Sequence, residues 1–205
     1  MQFSTLSELT ISGSDVRDSY LHQPNPQYGN ATHADSNYGN QSVTHVGKTE
    51  WSNWHIYRGV YWFDLGLLPG ATVLDANISF YVQDAVNQAS TTTPVSAQHT
   101  YSIHPLMKQW EEGLESNAQV SQAAGVTWNK AIDNLTGSDY SWSVSGASGT
   151  TDRGVAVASV TDSPANLEYN WLDFNNQNLT DLVQNWVDGN VTNNGLILIG
   201  DENTN

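Results

Sequence analysis

The residues best equipped for recognition chemistry lie close together in the chain: Trp51, Trp54, Tyr57, Tyr61 and Trp62. The C–H faces of sugar rings pack on aromatic rings, so a run of this kind could hold a glycan. Alternation along a strand sends every second side chain inward, which assigns Trp62 and Phe63 to the interior. Trp51 and Trp54, at the polar start of the run, and Tyr57 beside them are then the candidate ligand contacts. Glu111, Glu112 and Glu115 form the densest group of carboxylates. A glycosidase needs two carboxylates ~5–10 Å apart across a cleft, which neighbours on one loop do not supply. A calcium ion asks only for hard oxygen ligands, and Asp15, Asp18 and Asp35 are the candidate set for Ca²⁺, the one cofactor these residues suggest. The six His are scattered; His99 and His104 flank one apolar segment but fall short of the three or four convergent ligands of a zinc site. The chain contains no His-Glu-x-x-His and no phosphate-binding glycine loop, and Gly146-Ala147-Ser148-Gly149 is one residue short of a nucleophile elbow. No catalytic constellation can be assembled, so the expectation is a protein that is not an enzyme.

Positioning such residues requires strands. Trp54 to Asp64 is aromatic and β-branched on both alternating sets, the pattern of a central strand. A first strand is expected to end in Asp18-Ser19-Tyr20-Leu21, and others over Val73–Val82, from Tyr101 to Ile103, and over Val126–Trp128, Trp171–Phe174 and Gly195–Ile199. Ile103, Leu106, Met107 and Trp110 have helical spacing for a single turn. Leu179, Leu182, Val183 and Trp186 repeat at i, i+3, i+4, i+7, predicting a short helix with Asn178 as its cap. Trp110, Trp128 and Trp186 read as core, and Arg58 is expected to meet a carboxylate inside the fold. Residues 133–154 are the longest loop, interrupted by Tyr140-Ser141-Trp142. Short strands every ~10–15 residues with turn residues between them predict an all-β antiparallel sandwich or barrel, a single domain over residues 1–205.

Composition narrows the partners. Twenty-one acidic residues against six basic ones give a net charge of −15. Nucleic acid and anionic membrane surfaces both require clustered Lys and Arg, so neither is an expected partner. Cysteine is absent, which removes disulfides and thiolate chemistry. No stretch approaches the ~18–20 apolar residues of a membrane span. Residues 1–10 show neither the basic nor the apolar region of an export signal.

The order of several motifs resembles the DNRLRE-domain family, related to the disaggregatase repeat and to carbohydrate-binding modules. Asp18-Ser19-Tyr20 and Asn37-Tyr38-Gly39 are similar to its opening. Arg58, Phe63-Asp64-Leu65, Leu68-Pro69-Gly70-Ala71-Thr72-Val73 and Ala76 resemble its central strand pair. Trp110-Glu111-Glu112 and Val126-Thr127-Trp128-Asn129 look like its Trp-Glu and Thr-Trp-Asn elements. Leu172-Asp173, Leu182-Val183, Trp186, Gly189 and Asn194-Gly195-Leu196 resemble its last block, so the likeness runs over roughly residues 15–200. The resemblance implies a jelly-roll-like β-sandwich with one or two short helices, generally non-catalytic, found in secreted polysaccharide-active proteins, adhesins and some phage structural proteins. Some members bind acidic polysaccharide such as alginate. The family carries further strand after this block, and a sandwich without it would expose an edge that a continuation of the chain or a strand donated by another subunit would cover. Two settings are thus expected. One is a structural or attachment module on a particle, most concretely a phage decoration, fibre or appendage protein at the virion surface. The other is an extracellular polysaccharide-binding module of a secreted bacterial or archaeal protein.

Overall fold

The apolar runs close into antiparallel sheets. The computed structural model describes residues 8–25, 31–49, 54–66, 70–85, 97–116, 124–134 and 137–202. The strands are β1 (Val16–Gln23), β2 (Gly47–Lys48), β3 (Ile56–Phe63), β4 (Asn77–Val82), β5 (His99–Pro105), β6 (Lys130–Ile132), β7 (Tyr140–Ser141), β8 (Ala158–Asp162), β9 (Asn170–Asn175) and β10 (Leu196–Ile199). Two short helices, α1 (Pro164–Leu167) and α2 (Gln177–Val187), complete an all-β, sandwich-like fold.

The main sheet runs β1-β3-β10-β5-β8, and β2 takes over beside β3 where β10 ends. Register decides which side chains share a face. Tyr61 opposes Leu196, while Leu198 and Ile103 oppose each other, and Ile103 also faces Ala158. That face packs against a second layer made of the β4–β9 pair and α2, burying Leu172, Phe174, Leu179, Leu182 and Trp186. Phe174 is fully buried between the layers; truncating such a side chain to Ala costs about 3–5 kcal/mol. The opposite face carries Leu21, Val60 and Ile197 and is covered by the loops between β5 and β8, through Leu106, Trp110, Val126, Trp128 and Trp142. The main sheet is therefore covered on both sides, which is why β3 is apolar at both parities.

Several local readings shift. Trp62 and Phe63, assigned to the interior, are half-buried: the Trp62 ring lies under the Arg17 guanidinium at 3.9 Å, and its indole N–H donates to the Asn193 carbonyl. The Ile103–Trp110 spacing builds no helix. Ile103 serves one face of the main sheet, Leu106 and Trp110 serve the other, and Met107 is exposed, so no single helical face exists. Val126–Trp128 is not a strand, because Gly125 bridges Asp133 and Thr127 bonds Lys130 in a tight turn that leads into β6. β4 starts at Asn77 rather than Val73. Asn176, not Asn178, caps α2, its side chain accepting from the Leu179 N–H at 2.9 Å. The closing strand β10 has a neighbour on each side, and among the described strands the main sheet ends at β1 and β8, with β2 paired to β3 alone.

Candidate functional site

The second layer does not extend across the whole main sheet, and an open cleft of about 850 Å³ remains where it stops. Tyr57 and Tyr61 from β3, Leu198 from β10 and Tyr101 and His99 from β5 form its floor. Residues 42–49 make one wall, residues 79–85 the other, and Pro164 and Leu167 of α1 close one side. The volume is that of an ordinary ligand site, which combines apolar surface with a few fixed polar groups. Here the polar groups are Thr44, bonded to the Tyr61 hydroxyl at 2.6 Å, His99, bonded to Asp201 at 3.2 Å, and the carboxylates of Asp18 and Asp84. Burial pushes the Tyr101 phenol up to about 12, with help from the Asp162 and Asp201 carboxylates, and burial raises Tyr57 and Tyr61 as well. Phenols held protonated in this way can exchange hydrogen bonds with a ligand but are poor proton acceptors at neutral pH.

Behind one wall lies a nest of rings. Tyr20 stacks on Tyr38 with centroids 4.2 Å apart, and His22 stacks on Tyr57 at 4.6 Å. The two ring nitrogens of His22 are hydrogen-bonded, Nδ1 to the Tyr38 hydroxyl at 2.8 Å and Nε2 to Nδ1 of His55 at 2.9 Å. Burial first, then the neighbouring His55, His33 and His45, push His22 down to about 3, so its ring is neutral. Burial lifts the Tyr38 phenol to about 12. These contacts tie residues 31–49, and with them the cleft wall, to β1 and β3.

Of the residues singled out in the sequence, Tyr57 does line the cleft. Trp54 is half-buried, its ring 5.7 Å from the Lys48 ammonium, and Trp51 lies outside the described residues. The three candidate calcium ligands are not brought together. Asp15 is exposed in a 3-10 turn and its carbonyl accepts from the Asp64 N–H; Asp18 lies in β1 opposite Tyr61; Asp35 accepts from the Asn129 side chain at 2.8 Å. Among the described residues no three His, Asp or Glu side chains are grouped as a metal ion requires. Burial and the Glu112 carboxylate both raise Asp18, and Glu112 itself accepts from the Asp18 N–H at 3.1 Å. Glu111 is exposed. His99 and His104 sit at opposite parities of β5, the latter bonded to the Gly154 carbonyl. Arg58 meets its expected carboxylate: Nε and Nη2 donate to Glu202 at 2.6 and 2.8 Å, while Nη1 donates to Ser148 and to the Gly146 carbonyl. The guanidinium also lies 4.9 Å over the Trp128 ring, so Arg58 is structural.

Asn37-Tyr38-Gly39, the segment after Trp110 and the segment from Val126 meet in one knot. The Asn37 amide donates to the Glu112 and Val126 carbonyls and accepts from the Gly39 and Glu115 N–H groups. A Cβ at Gly39 would run into the Glu112 carbonyl, and one at Gly113 into the Asn37 side chain. Trp110 donates to the Asn194 carbonyl and Trp142 to that of Thr127. Their job is to fasten loops.

Sequence reasoning missed an aromatic pair on the outer face of the second layer. Register places Tyr81 of β4 opposite Trp171 of β9, with centroids 5.3 Å apart in an edge arrangement. Tyr81 is 53% exposed and Trp171 54%, and Tyr169 beside them is 68% exposed. The signal was available: Leu172 and Phe174 face the core, so Trp171 and Asp173 must face out. No family model, no curated protein and no solved structure matches the chain.

Proposed function

We propose that the chain is a non-catalytic attachment module that holds a glycan in the cleft between its layers. The observation that carries this reading is the cleft itself: Tyr57 and Tyr101 supply ring surface over the buried Tyr61, and Thr44, His99 and Asp84 supply hydrogen-bonding groups at its margin. Its ionisable groups do not form a nucleophile with a base. The phenols are held protonated, and the His22 ring is neutral and hydrogen-bonded to His55 and Tyr38. Among the described residues that line the cleft, Asp18, Asp84 and Asp201 stand against Lys48, so a neutral polysaccharide is favoured over a uronic-acid polymer. Both settings raised by the sequence, a phage appendage and a secreted polysaccharide-binding module, would use the same site.

The test is retention on a broad glycan array and in affinity gels containing galactomannan, xyloglucan, β-glucan, alginate or pectate. Wild type should be retained by at least one neutral polymer, and Tyr101→Ala should weaken that retention by roughly tenfold with the fold intact by circular dichroism. Retention by no glycan, or release of shortened or unsaturated products on incubation with any of them, would overturn the proposal.

A further inference from the structure

Trp171 and Tyr81 form a cross-strand pair, yet both stand more than half exposed on a sheet face that none of the described residues covers. Tyr169 adds a third ring. It sits in the left-handed region at φ +58°, where a side chain with a Cβ is strained, and its N–H still extends the ladder by donating to the Val82 carbonyl at 2.8 Å. The next outward pair is Ser79 opposite Asp173, with Asn77 opposite Asn175 beyond it.

Size and charge select the occupant. A stable second copy needs about 800 Å² per partner with a continuous apolar centre, whereas this patch is three rings bordered at once by Ser, Asp and Asn. Neither β4 nor β9 contains Lys or Arg, and Asp173 faces out beside Trp171, which disfavours anionic partners. An aromatic surface of this size edged by hydrogen-bonding groups matches a sugar ring, its C–H face on the rings and its hydroxyls toward Ser79 and Asp173. Ser79 and Tyr81 also line the cleft, so the outer face and the cleft meet along β4.

We infer that Trp171, Tyr81 and Tyr169 form a second subsite for a neutral glycan, continuous with the cleft across β4, so that one polysaccharide chain occupies both. This inference rests on the cleft reading and extends it from a short ligand to a polymer. The exposed positions make clean tests. Trp171→Ala and Tyr169→Ala should leave thermal unfolding close to that of wild type. Titration calorimetry with di- and hexasaccharides of galactomannan, xyloglucan and β-glucan then separates the subsites. Trp171→Ala should weaken hexasaccharide binding by roughly three- to tenfold while leaving disaccharide binding in the cleft unchanged, and Trp171→Phe should restore most of the loss. Tyr101→Ala should weaken both lengths. Wild-type affinity of Trp171→Ala for the hexasaccharide overturns the second subsite and spares the cleft. Equal losses at both lengths overturn the continuous track. If no glycan binds wild type at all, the cleft reading falls and this inference with it.

Discussion

His22 is only 7% exposed and is surrounded by rings rather than by charge partners. Its pKa of about 3 in the fold against 6.5 in an unfolded chain fixes a sign. The folded state holds the ring neutral, so this stability is present in full above pH ~6.5 and is lost as pH falls toward 3. The loss approaches about 1.4 kcal/mol per pH unit in that window. Burial lowers His55 in the same direction. Asp152 acts in a lower range. Burial pushes its carboxyl up, but the Ser143 and Val144 N–H groups, the Ser143 hydroxyl and the Lys108 ammonium outweigh that and hold it at about 2, so its contribution fades only below pH ~4. Stability should therefore begin to fall near pH 6.5. Urea midpoints should stay level from pH 8 to about 6.5 and then fall down to pH 4.5 for wild type, and fall less steeply for His22→Gln, which is less stable at neutral pH but lacks the proton linkage. Equal slopes would show that His22 is not the responsible group. None of this was legible beforehand, because His22, His33, His45 and His55 are far apart in the chain. Only the pairing of β1 with β3, which sets His22 opposite Tyr57, brings the nest together.

At the scale of elements, what was legible is what depends on local period. β3, β9, α2 and β10 follow directly from their apolar spacing, and the tryptophans at 110, 128 and 186 are core as expected. The readings that shifted each depended on a distant partner. The 103–110 segment divides its apolar residues between two faces of one sheet, and Val126–Trp128 gives its backbone to Glu111, Asn37 and Lys130 instead of a neighbouring strand. The cleft was illegible for the same reason, since its walls are loops and a strand edge far apart in the chain; of the two proposed contacts among the described residues, Tyr57 lines it and Trp54 does not. The start of α2 offers a direct comparison. Asn176 accepts from the Leu179 N–H and also donates to the Val157 carbonyl, joining the helix to the segment that enters β8. Asn178, the cap expected from sequence, is an exposed residue of the first turn. Asn176→Ala should cost about 1–2 kcal/mol and Asn178→Ala no more than about 0.5 kcal/mol, read from chemical denaturation midpoints. A reversed order would place the helix start two residues later than observed.

Across the whole molecule, 21 acidic residues face only six Lys and Arg, which leaves a net charge of −15, and four of the six cations have a fixed place. Arg58 is paired with Glu202, Lys108 with Asp152, and Lys130 with Asp133 and Asp139, while Arg17 lies over Trp62. The remaining carboxylates repel one another over distances that salt can screen. The Debye length shrinks from about 30 Å at 0.01 M to about 8 Å at 0.15 M, so sodium chloride across this range should raise the unfolding temperature. The same screening separates specific from general effects of cations. Because Asp15, Asp18 and Asp35 are not grouped, calcium chloride should stabilise no more than magnesium chloride at the same ionic strength, and a calcium-specific rise in melting temperature would reinstate a bound ion. Ligand binding should divide along the same line. A neutral glycan gains its affinity from ring stacking and short hydrogen bonds, so its dissociation constant should stay nearly constant over that salt range. An anionic polymer facing Asp18, Asp84, Asp201 and Asp173 should be retained, if at all, only as salt or divalent cations weaken the repulsion. Retention of alginate that is strongest at the lowest ionic strength would contradict this account, because an acidic surface cannot attract a polyanion through its mean field.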